Sequence, residues 1–210
     1  MINLILSESN RSYYYLKKIL KKKILIKNII LYSKSPKSTY RLIKKKKLDS
    51  ILTFIKINDI NNNKIIKRIK FKKNETNIVS TYPGEIIKNK EILNLNLLHC
   101  HSGDLPKFKG STTIYYSLIL ENKICVSIFI MNKNIDGGKI VYKKYFKKPK
   151  NIQDLEKNFD CKIRARSLIE FLLLKRKRKR NFNKKKLNIL QYYIAHPIIR
   201  QMVINKRSLV

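Results

Sequence analysis

The start of the chain alternates short apolar runs with a segment of helical periodicity. Residues 2–6, INLIL, are a short and mostly apolar run that ends in the polar sequence SESN, which predicts a buried strand followed by a helix cap. From Asn10 to Lys22 the apolar side chains keep helical spacing, and residues 24–32, ILIKNIILY, predict a second strand. A strand, a helix and a strand in succession favour a right-handed crossover and a parallel sheet.

The same kinds of pattern continue to residue 146, with one weak stretch. Between residues 33 and 73 lysines blur the periodicity, and RLIKKKKLDSIL, residues 41–52, is a possible helix. The clearer segments are a strand with a Pro-Gly turn (77–84), a brief helix (85–94), a strand with a long exit loop (96–101), a helix that begins at Ser111 or Thr112, a β-rich run (125–131) and an alternating edge strand (139–146). These patterns predict an α/β fold, a Rossmann-like and mostly parallel sheet with helices on both faces.

The C-terminal part of the chain differs in composition. Residues 151–210 combine an amphipathic segment with the basic runs KRKRKR, at 175–180, and NFNKKKLN, which follows it. Residues 192–204 are apolar enough to dock on the body of the protein. We therefore predict one α/β domain over residues 1–150 and a helical, basic extension over residues 151–210 that packs on the same domain.

The charge of the chain is extreme but weakly informative. Lys and Arg total 49 against 13 Asp and Glu, a formal net charge of +36, which permits a polyanionic partner without identifying one. Lys far outnumbers Arg, Asn and Ile abound, and Trp is absent, which is typical of translation from A/T-rich codons. Three scattered cysteines favour a cytoplasmic location, and no stretch is apolar enough for membrane insertion.

Three predicted strands are followed by loops that contain glycine: TYPGE, HSGDLPKFKG and NKNIDGGK. In an open parallel sheet, ligands collect beyond the carboxyl ends of the strands. Two of the three histidines of the chain, His99 and His101, lie at the end of the second of these strands, and His101 begins its loop; Asp136 lies in the third loop. Residues two apart on a strand share a face, so we expect both imidazoles to point into one site.

These loops also carry a longer motif. Leu105-Pro106, then Lys109-Gly110, and later Asp136-Gly137-Gly138 resemble the signature of the 10-formyltetrahydrofolate-dependent formyltransferases. That family includes methionyl-tRNA, glycinamide ribonucleotide and sugar N-formyltransferases. Order, spacing and flanking strand pattern agree over about 65 residues.

The resemblance implies a formyltransferase catalytic domain over residues 1–150. His101 takes the position of the family histidine, and His99 stands where the family has asparagine; a neutral imidazole can donate one hydrogen bond, as an amide does. The implied catalytic residues are His101, Asp136 and His99. The residues implied to contact the formyl donor are Tyr82, Pro83, Gly84, Ile135 and Gly137. Those implied to contact the acceptor are Gly103, Lys109, Gly110, Ser111 and Thr112. The implied formyl donor is 10-formyltetrahydrofolate, and no metal is implied.

The residue types suit this chemistry. An acceptor amine attacks the formyl carbon, and one proton must pass from the amine to the folate nitrogen. An imidazole titrates near neutrality and can move that proton or donate to the oxyanion, and a carboxylate at Asp136 favours its charged form. Other interpretations stay open: His99 and His101 could be structural histidines of a strand or metal ligands, and Asp136 could be a turn residue.

The acceptor is less clearly indicated. The loop SESNRS has no glycine, which argues against the phosphate of a glycinamide ribonucleotide. The residues after KRKRKR are too few for the tRNA-binding β-barrel of methionyl-tRNA formyltransferases, whereas GSTTIYYSLIL and YYIAHPIIR resemble compact sugar N-formyltransferases. We expect an amino group on a nucleotide-linked sugar, with methionyl-tRNA as the alternative. An alternative of another class is a non-catalytic, basic RNA-binding protein on the same fold. The sequence does not indicate an oligomeric state.

Overall fold

The chain folds as a succession of strands and helices. The computed structural model describes residues 1–149, 154–175, 191–192 and 194–205. Within them the strands are β1 (Ile2–Ser7), β2 (Ile26–Tyr32), β3 (Leu52–Ile55), β4 (Thr76–Ser80), β5 (Leu98–His101), β6 (Lys109–Gly110), β7 (Lys123–Ile130), β8 (Lys139–Lys147) and β9 (Gln191–Tyr192). The helices are α1 (Asn10–Lys21), α2 (Ser38–Lys45), α3 (Asn63–Ile66), α4 (Lys90–Leu93), α5 (Thr113–Glu121), α6 (Asp160–Lys175) and α7 (Pro197–Asn205).

Seven of these strands form one sheet. Their order is β3-β2-β1-β4-β5-β7-β8, and β6 pairs with β9 in a separate two-stranded sheet. β1 pairs in parallel with β2 and with β4, β2 pairs in parallel with β3, and β4 does so with β5. The predicted fold class, an α/β fold with a mostly parallel sheet, is confirmed.

The first strand and helix form as the hydrophobic pattern predicts. Every residue of β1 is buried, as expected for a central strand of a parallel sheet, which is covered on both faces. The Ser9 hydroxyl oxygen accepts a hydrogen bond from the backbone N–H of Ser12 (3.3 Å) and so caps α1. Leu16 and Ile19 lie on the buried side of that helix.

The weak stretch between residues 33 and 73 required correction. The possible helix over residues 41–52 is wrong in its bounds, because α2 begins at Ser38 and ends at Lys45, and β3 begins at Leu52. β3 has four residues, lies at the edge of the sheet and is fully buried only at Ile55. A short, half-buried edge strand has no long apolar run, so the adjacent lysines concealed it in the sequence.

The C-terminal amphipathic segment is helical. It begins with a π-helical turn over Leu155–Phe159 and continues as α6, and further along the chain α7 packs on α5. The basic residues 176–190 lie outside the described residues. In the part of the chain that the structure describes, no helix has the length and apolar character needed to cross a membrane.

The chain divides into two compact units. One comprises Met1–His99 and Ile130–Lys133, and the other comprises Cys100–Phe129 and Asn134–Val210. The first unit contains β1 to β4 with α1 to α4. The second contains α5 and the described C-terminal helices. The predicted domain boundary at residue 150 stays a prediction.

A buried asparagine on β4 forms hydrogen bonds to β1 and to the segments that precede β4 and β5. Asn77 on β4 is fully buried, and its Nδ2 donates to the carbonyls of Lys72 (2.8 Å) and Leu95 (2.7 Å). Its Oδ1 accepts from Nδ2 of Asn3 on β1 (2.9 Å). The side chain therefore has a partner for each of its hydrogen-bonding groups.

Asn77→Leu is expected to lower the free energy of unfolding by about 2–3 kcal/mol, because the carbonyls of Lys72 and Leu95 lose their donor and the Asn3 amide loses one of its two acceptors. Chemical denaturation measures this change. The matched control Asn94→Leu, at the exposed end of α4, should change the same free energy by less than about 0.5 kcal/mol. Equal effects of the two substitutions would contradict the prediction.

Candidate active site

His101 lies at the end of β5 and is buried, with 5% of its surface exposed. Its Nε2 is 2.8 Å from the carbonyl oxygen of Phe108, in the loop that follows the strand. A carbonyl oxygen only accepts hydrogen bonds, so the proton of the neutral imidazole is on Nε2. The hydroxyl of Thr113 donates to the Ser102 carbonyl (2.5 Å), and its oxygen, 3.2 Å from Nε2, serves as a second acceptor for the same proton.

The other ring nitrogen of His101 faces a carboxylate. Nδ1 is 3.5 Å from Oδ2 of Asp136, which lies in the loop between β7 and β8. That distance exceeds the roughly 3.2 Å of a well-formed direct hydrogen bond. The same Oδ2 accepts a hydrogen bond from the backbone N–H of Gly110 on β6 (2.8 Å). The two predicted catalytic side chains therefore face each other, with the carboxylate anchored by backbone.

The protonation of His101 is set by burial and by neighbouring charges. Burial lowers the pKa of His101 below its ordinary value, because a buried imidazole loses the hydration of its charged form. The carboxylates of Asp136 and Asp160 act in the opposite direction, and the guanidinium of Arg164 adds to the lowering of the pKa. A lowered pKa favours the neutral ring, in which the lone pair of Nδ1 is on the side that faces Asp136.

Gly103 makes room for the imidazole. A Cβ at this position would lie 2.5 Å from Nε2 of His101 and 2.6 Å from the carbonyl oxygen of Phe108. Both atoms belong to the hydrogen bond that orients the ring. Glycine is therefore required here by close approach.

The residues predicted to contact the acceptor lie in one segment of the second unit. Lys109 and Gly110 form β6 and are half-buried, as are Ser111 and Thr112. Gly110 has a φ of 103°, which favours glycine, and the Thr112 hydroxyl oxygen accepts a hydrogen bond from the Ala195 backbone N–H (2.6 Å). The contact with Ala195 was not predicted, because nothing in the local sequence links residues 83 positions apart.

The predicted donor-contacting residues occupy two loops. In the second unit, Ile135 is exposed, and the N–H of Gly137 donates to the Asn134 carbonyl in a turn around Asp136 (3.2 Å). Asp136 itself has a φ of 49°, a left-handed backbone conformation. These features agree with a turn that presents a carboxylate, and the assignment of donor contacts to Ile135 and Gly137 stays a prediction.

In the first unit, the loop Tyr82-Pro83-Gly84 follows β4. Gly84 has a φ of 77°, with no atom within 4 Å of a Cβ built on it. Glu85 holds the loop: one of its oxygens accepts from the Tyr82 N–H (2.9 Å) and from the Tyr32 hydroxyl (2.6 Å). Burial and the Glu85 carboxylate raise the pKa of Tyr32, so this phenol stays protonated as a donor. Sequence analysis missed Glu85, because an acid after a Pro-Gly turn has no distinctive pattern.

His99 lies on β5 and is half-buried. Its catalytic role stays a prediction. Among the described residues, no group of three or more His, Cys, Asp or Glu side chains is placed to hold a metal ion.

Comparisons with known proteins identify the fold. No protein-family model and no curated protein sequence matches the chain. A methionyl-tRNA formyltransferase from Clostridium thermocellum matches in structure with a TM-score of 0.59 and 17% identity, over 94% of this chain and 74% of that chain. An N-formyltransferase from Helicobacter canadensis, in complex with folinic acid and dTDP-3-aminofucose, matches with a TM-score of 0.60 and 16% identity, over 92% of this chain and 71% of that chain.

A smaller enzyme matches as well. Phosphoribosylglycinamide formyltransferase from Bacillus halodurans has a TM-score of 0.57 and 13% identity, over 87% of this chain and all of that chain (100%). The chain therefore has the fold shared by these formyltransferases. The resemblance predicted from the Leu-Pro and Asp-Gly-Gly motifs is confirmed at the level of fold.

Asp136→Asn is expected to lower the pKa of His101 further, because it removes the carboxylate that favours the imidazolium ion. NMR titration of histidine-labelled protein can follow this pKa, since the chain has 3 histidines. The matched control Asp104→Asn should leave the His101 titration unchanged, because the Asp104 carboxylate binds Lys143 and Tyr145 instead. A rise in the pKa of His101 in Asp136→Asn would contradict the assigned geometry.

Gly103→Ala is expected to displace the imidazole and to break its hydrogen bond to Phe108, at a cost of about 1–3 kcal/mol in the free energy of unfolding. The measurement is the NMR signal of the His101 Nε2 proton, which should broaden or shift as it becomes exposed to water. Gly84→Ala is the comparison, because it strains the backbone without a clash and should leave that signal in place. An unchanged His101 signal in Gly103→Ala would show that the ring does not occupy this position.

Proposed function

We propose that this protein is an N-formyltransferase that moves a formyl group from 10-formyltetrahydrofolate to an amine acceptor, an amino group on a nucleotide-linked sugar. The observation that carries the proposal is the pair formed by buried His101, at the end of β5, and Asp136, with 3.5 Å between Nδ1 and Oδ2. Its residues are those implied by the formyltransferase motif, and the chain has the formyltransferase fold.

We propose a separate role for each nitrogen of His101. Nε2 is occupied by the Phe108 carbonyl, which leaves Nδ1 as the proton acceptor. The acceptor amine attacks the formyl carbon, and the positively charged nitrogen that results loses one proton to Nδ1; the imidazolium ion that forms is stabilised by Asp136. The lowered pKa of His101 keeps the ring neutral before the reaction, so that Nδ1 is able to accept. The same proton then passes to the folate nitrogen as the bond between that nitrogen and the formyl carbon breaks.

The Asp136 carboxylate is held near the imidazole by a backbone hydrogen bond. Asp136 Oδ2 accepts from the Gly110 N–H, which keeps its charge close to Nδ1 without a direct hydrogen bond of ordinary length. A water molecule or a small polar group that donates to Nδ1 and to Oδ2 from one side would satisfy both acceptors. We propose His99 as a further hydrogen-bond donor in this site, in place of the family asparagine.

The proposed donor contacts are the loop Tyr82-Pro83-Gly84 together with Ile135 and Gly137. Gly84 borders open space, because a Cβ there would meet no atom within 4 Å. When bound, the folate supplies an electrophilic formyl carbon on an amine leaving group. All proton handling is assigned to the chain.

The acceptor is proposed from the loops. The loop after β1 lacks the glycines of a phosphate cradle, and its Glu8 carboxylate accepts from the N–H groups of Thr39 (2.5 Å) and Tyr40 (3.1 Å). The Glu8 carboxylate therefore occupies the N-terminus of α2, where its negative charge disfavours a phosphate. This argues against a ribonucleotide acceptor of the glycinamide type. Lys109, which precedes Gly110 on β6, would offer a cation to the diphosphate of a nucleotide-linked sugar.

His101→Gln should reduce formyl transfer by about a hundredfold to a thousandfold, because it removes the proton acceptor. The assay follows release of tetrahydrofolate with a nucleotide-linked amino sugar as acceptor. A folate analogue should still raise the melting temperature of the variant, since binding to the folded state does not need the imidazole. His196→Gln, on an exposed histidine, is the matched control and should keep full activity.

Two results would overturn the proposal. One is stabilisation of the wild-type protein by RNA and by no folate analogue, which would favour the non-catalytic RNA-binding alternative. The other is full activity of His101→Gln. Transfer to methionyl-tRNA in preference to the amino sugar would keep the chemistry and replace the acceptor.

A further inference from the structure

An ion pair on α6 reaches the strand that carries His101. Asp160 and Arg164 are one helical turn apart, and Nε of Arg164 is 2.8 Å from Oδ2 of Asp160. Both side chains are largely buried, with 14% of the Arg164 side chain and 12% of the Asp160 side chain exposed. The proposed function leaves this pair without a role.

The pair forms hydrogen bonds to both sequence neighbours of His101. One guanidinium nitrogen of Arg164 donates to the carbonyl of Cys100 (2.8 Å), and Nε donates to the hydroxyl oxygen of Ser102 (2.8 Å). The Ser102 hydroxyl in turn donates to Asp160 Oδ1. The residues immediately before and after the imidazole are therefore bound to the same pair of side chains.

Helix α5 contacts the same strand end through Thr113. Thr113 donates to the Ser102 carbonyl and accepts from Nε2 of His101, so that Ser102 is bound through its side chain to α6 and through its backbone to α5. A displacement of the strand end would break several charged or buried hydrogen bonds at once. The position of the ring is therefore fixed by contacts outside the reacting groups.

We propose that Asp160 and Arg164 are positioning residues that hold the His101 imidazole in register with Asp136 and balance the charge around it. The proposal rests on the proposed function for its consequence in catalysis, but its geometry concerns the folded chain alone. Two properties of the pair support it.

The first property is the chemistry of Arg164. A buried ion pair is a weak source of stability, because desolvation offsets the attraction of the two charges. Arg164 instead supplies directional contacts: its fork meets a carbonyl, a hydroxyl and a carboxylate at fixed angles. A lysine carries the same charge but has no planar fork. Charge and geometry can therefore be separated by substitution.

The second property is electrostatic. The charged groups that act on His101 are Asp136, from the loop between β7 and β8, and the two members of the pair, from α6. The contacts from α5 and from the exit loop, Thr113 and the Phe108 carbonyl, are uncharged. Arg164 lowers the pKa of His101 and Asp160 raises it, so the two members have opposite effects that partly cancel.

The test is the NMR titration of His101 in the full-length chain. Arg164→Gln should raise the pKa of His101 and Asp160→Asn should lower it, each by about half a unit or more. A merely structural role predicts no such opposition, because loosening the strand end would shift both titrations in the same direction. Glu170→Gln is the matched control. Glu170 is an acid of the same helix, α6, but it pairs with Lys144 on β8, so its removal should leave the His101 titration unchanged.

Arg164→Lys separates geometry from charge. It keeps the positive charge, so the pKa of His101 should stay within about 0.3 unit of the wild-type value, while kcat for formyl transfer falls about tenfold or more with KM within about twofold. If Arg164→Gln does not fold, Arg164→Lys and Asp160→Asn carry the test. Shifts in the same direction for Arg164→Gln and Asp160→Asn would overturn the proposal, as would an unchanged kcat in Arg164→Lys.

Failure of the proposed function would leave a distinct result. If the wild-type protein transfers no formyl group but the opposed shifts are observed, the pair positions His101 and the assigned reaction is wrong. If the wild-type protein is active and the shifts are absent, the reaction stands and the pair has no positioning role.

Discussion

The hydrogen bond between the His101 ring and the carbonyl of Phe108 is the interaction on which the site depends. Because a carbonyl cannot donate, it places the ring proton on Nε2 and leaves the Nδ1 lone pair for the side that faces Asp136. The chain must therefore leave β5, turn and return within 7 residues so that this carbonyl meets the ring. Gly103 has no side chain at the point where one would occupy the space of that bond.

The course of this loop is fixed by the core of the second unit and not by the reacting groups. Leu105 and Phe108 are fully buried, and the peptide bond between Leu105 and Pro106 is cis. The Ser127 hydroxyl on β7 donates to the Gly103 carbonyl (2.6 Å) and accepts from the Leu105 N–H (3.1 Å). Two loop groups that would otherwise need water are satisfied by one side chain. The residues that make the motif recognisable are thus mainly those that fold the loop.

This division explains what the sequence could predict. β1 and α1 were predicted because their hydrophobic spacing is local, and His101 and Asp136 because the folding residues around them form a compact motif. The contribution of Phe108 was not predictable, since it comes from the backbone of an apolar residue. Asp160 and Arg164 show the spacing of an ordinary surface ion pair on a helix, and only tertiary packing brings them to the end of β5. β3 was missed because it is short and lies at the edge of the sheet.

Because lysine dominates the composition, the few acidic residues carry most of the information about the fold. With 49 Lys and Arg against 13 Asp and Glu, lysines can fill exposed positions at little cost to the fold. Several carboxylates instead accept hydrogen bonds from backbone: Glu8 at the start of α2, Glu85 from the Tyr82 N–H, and Asp136 from the Gly110 N–H. An ammonium group has no acceptor and cannot replace them. A bias toward lysine can therefore alter the surface of this fold without reaching the loops that these acids hold. Of the three acids, Asp136 faces the His101 imidazole, and Glu85 accepts from the Tyr32 phenol.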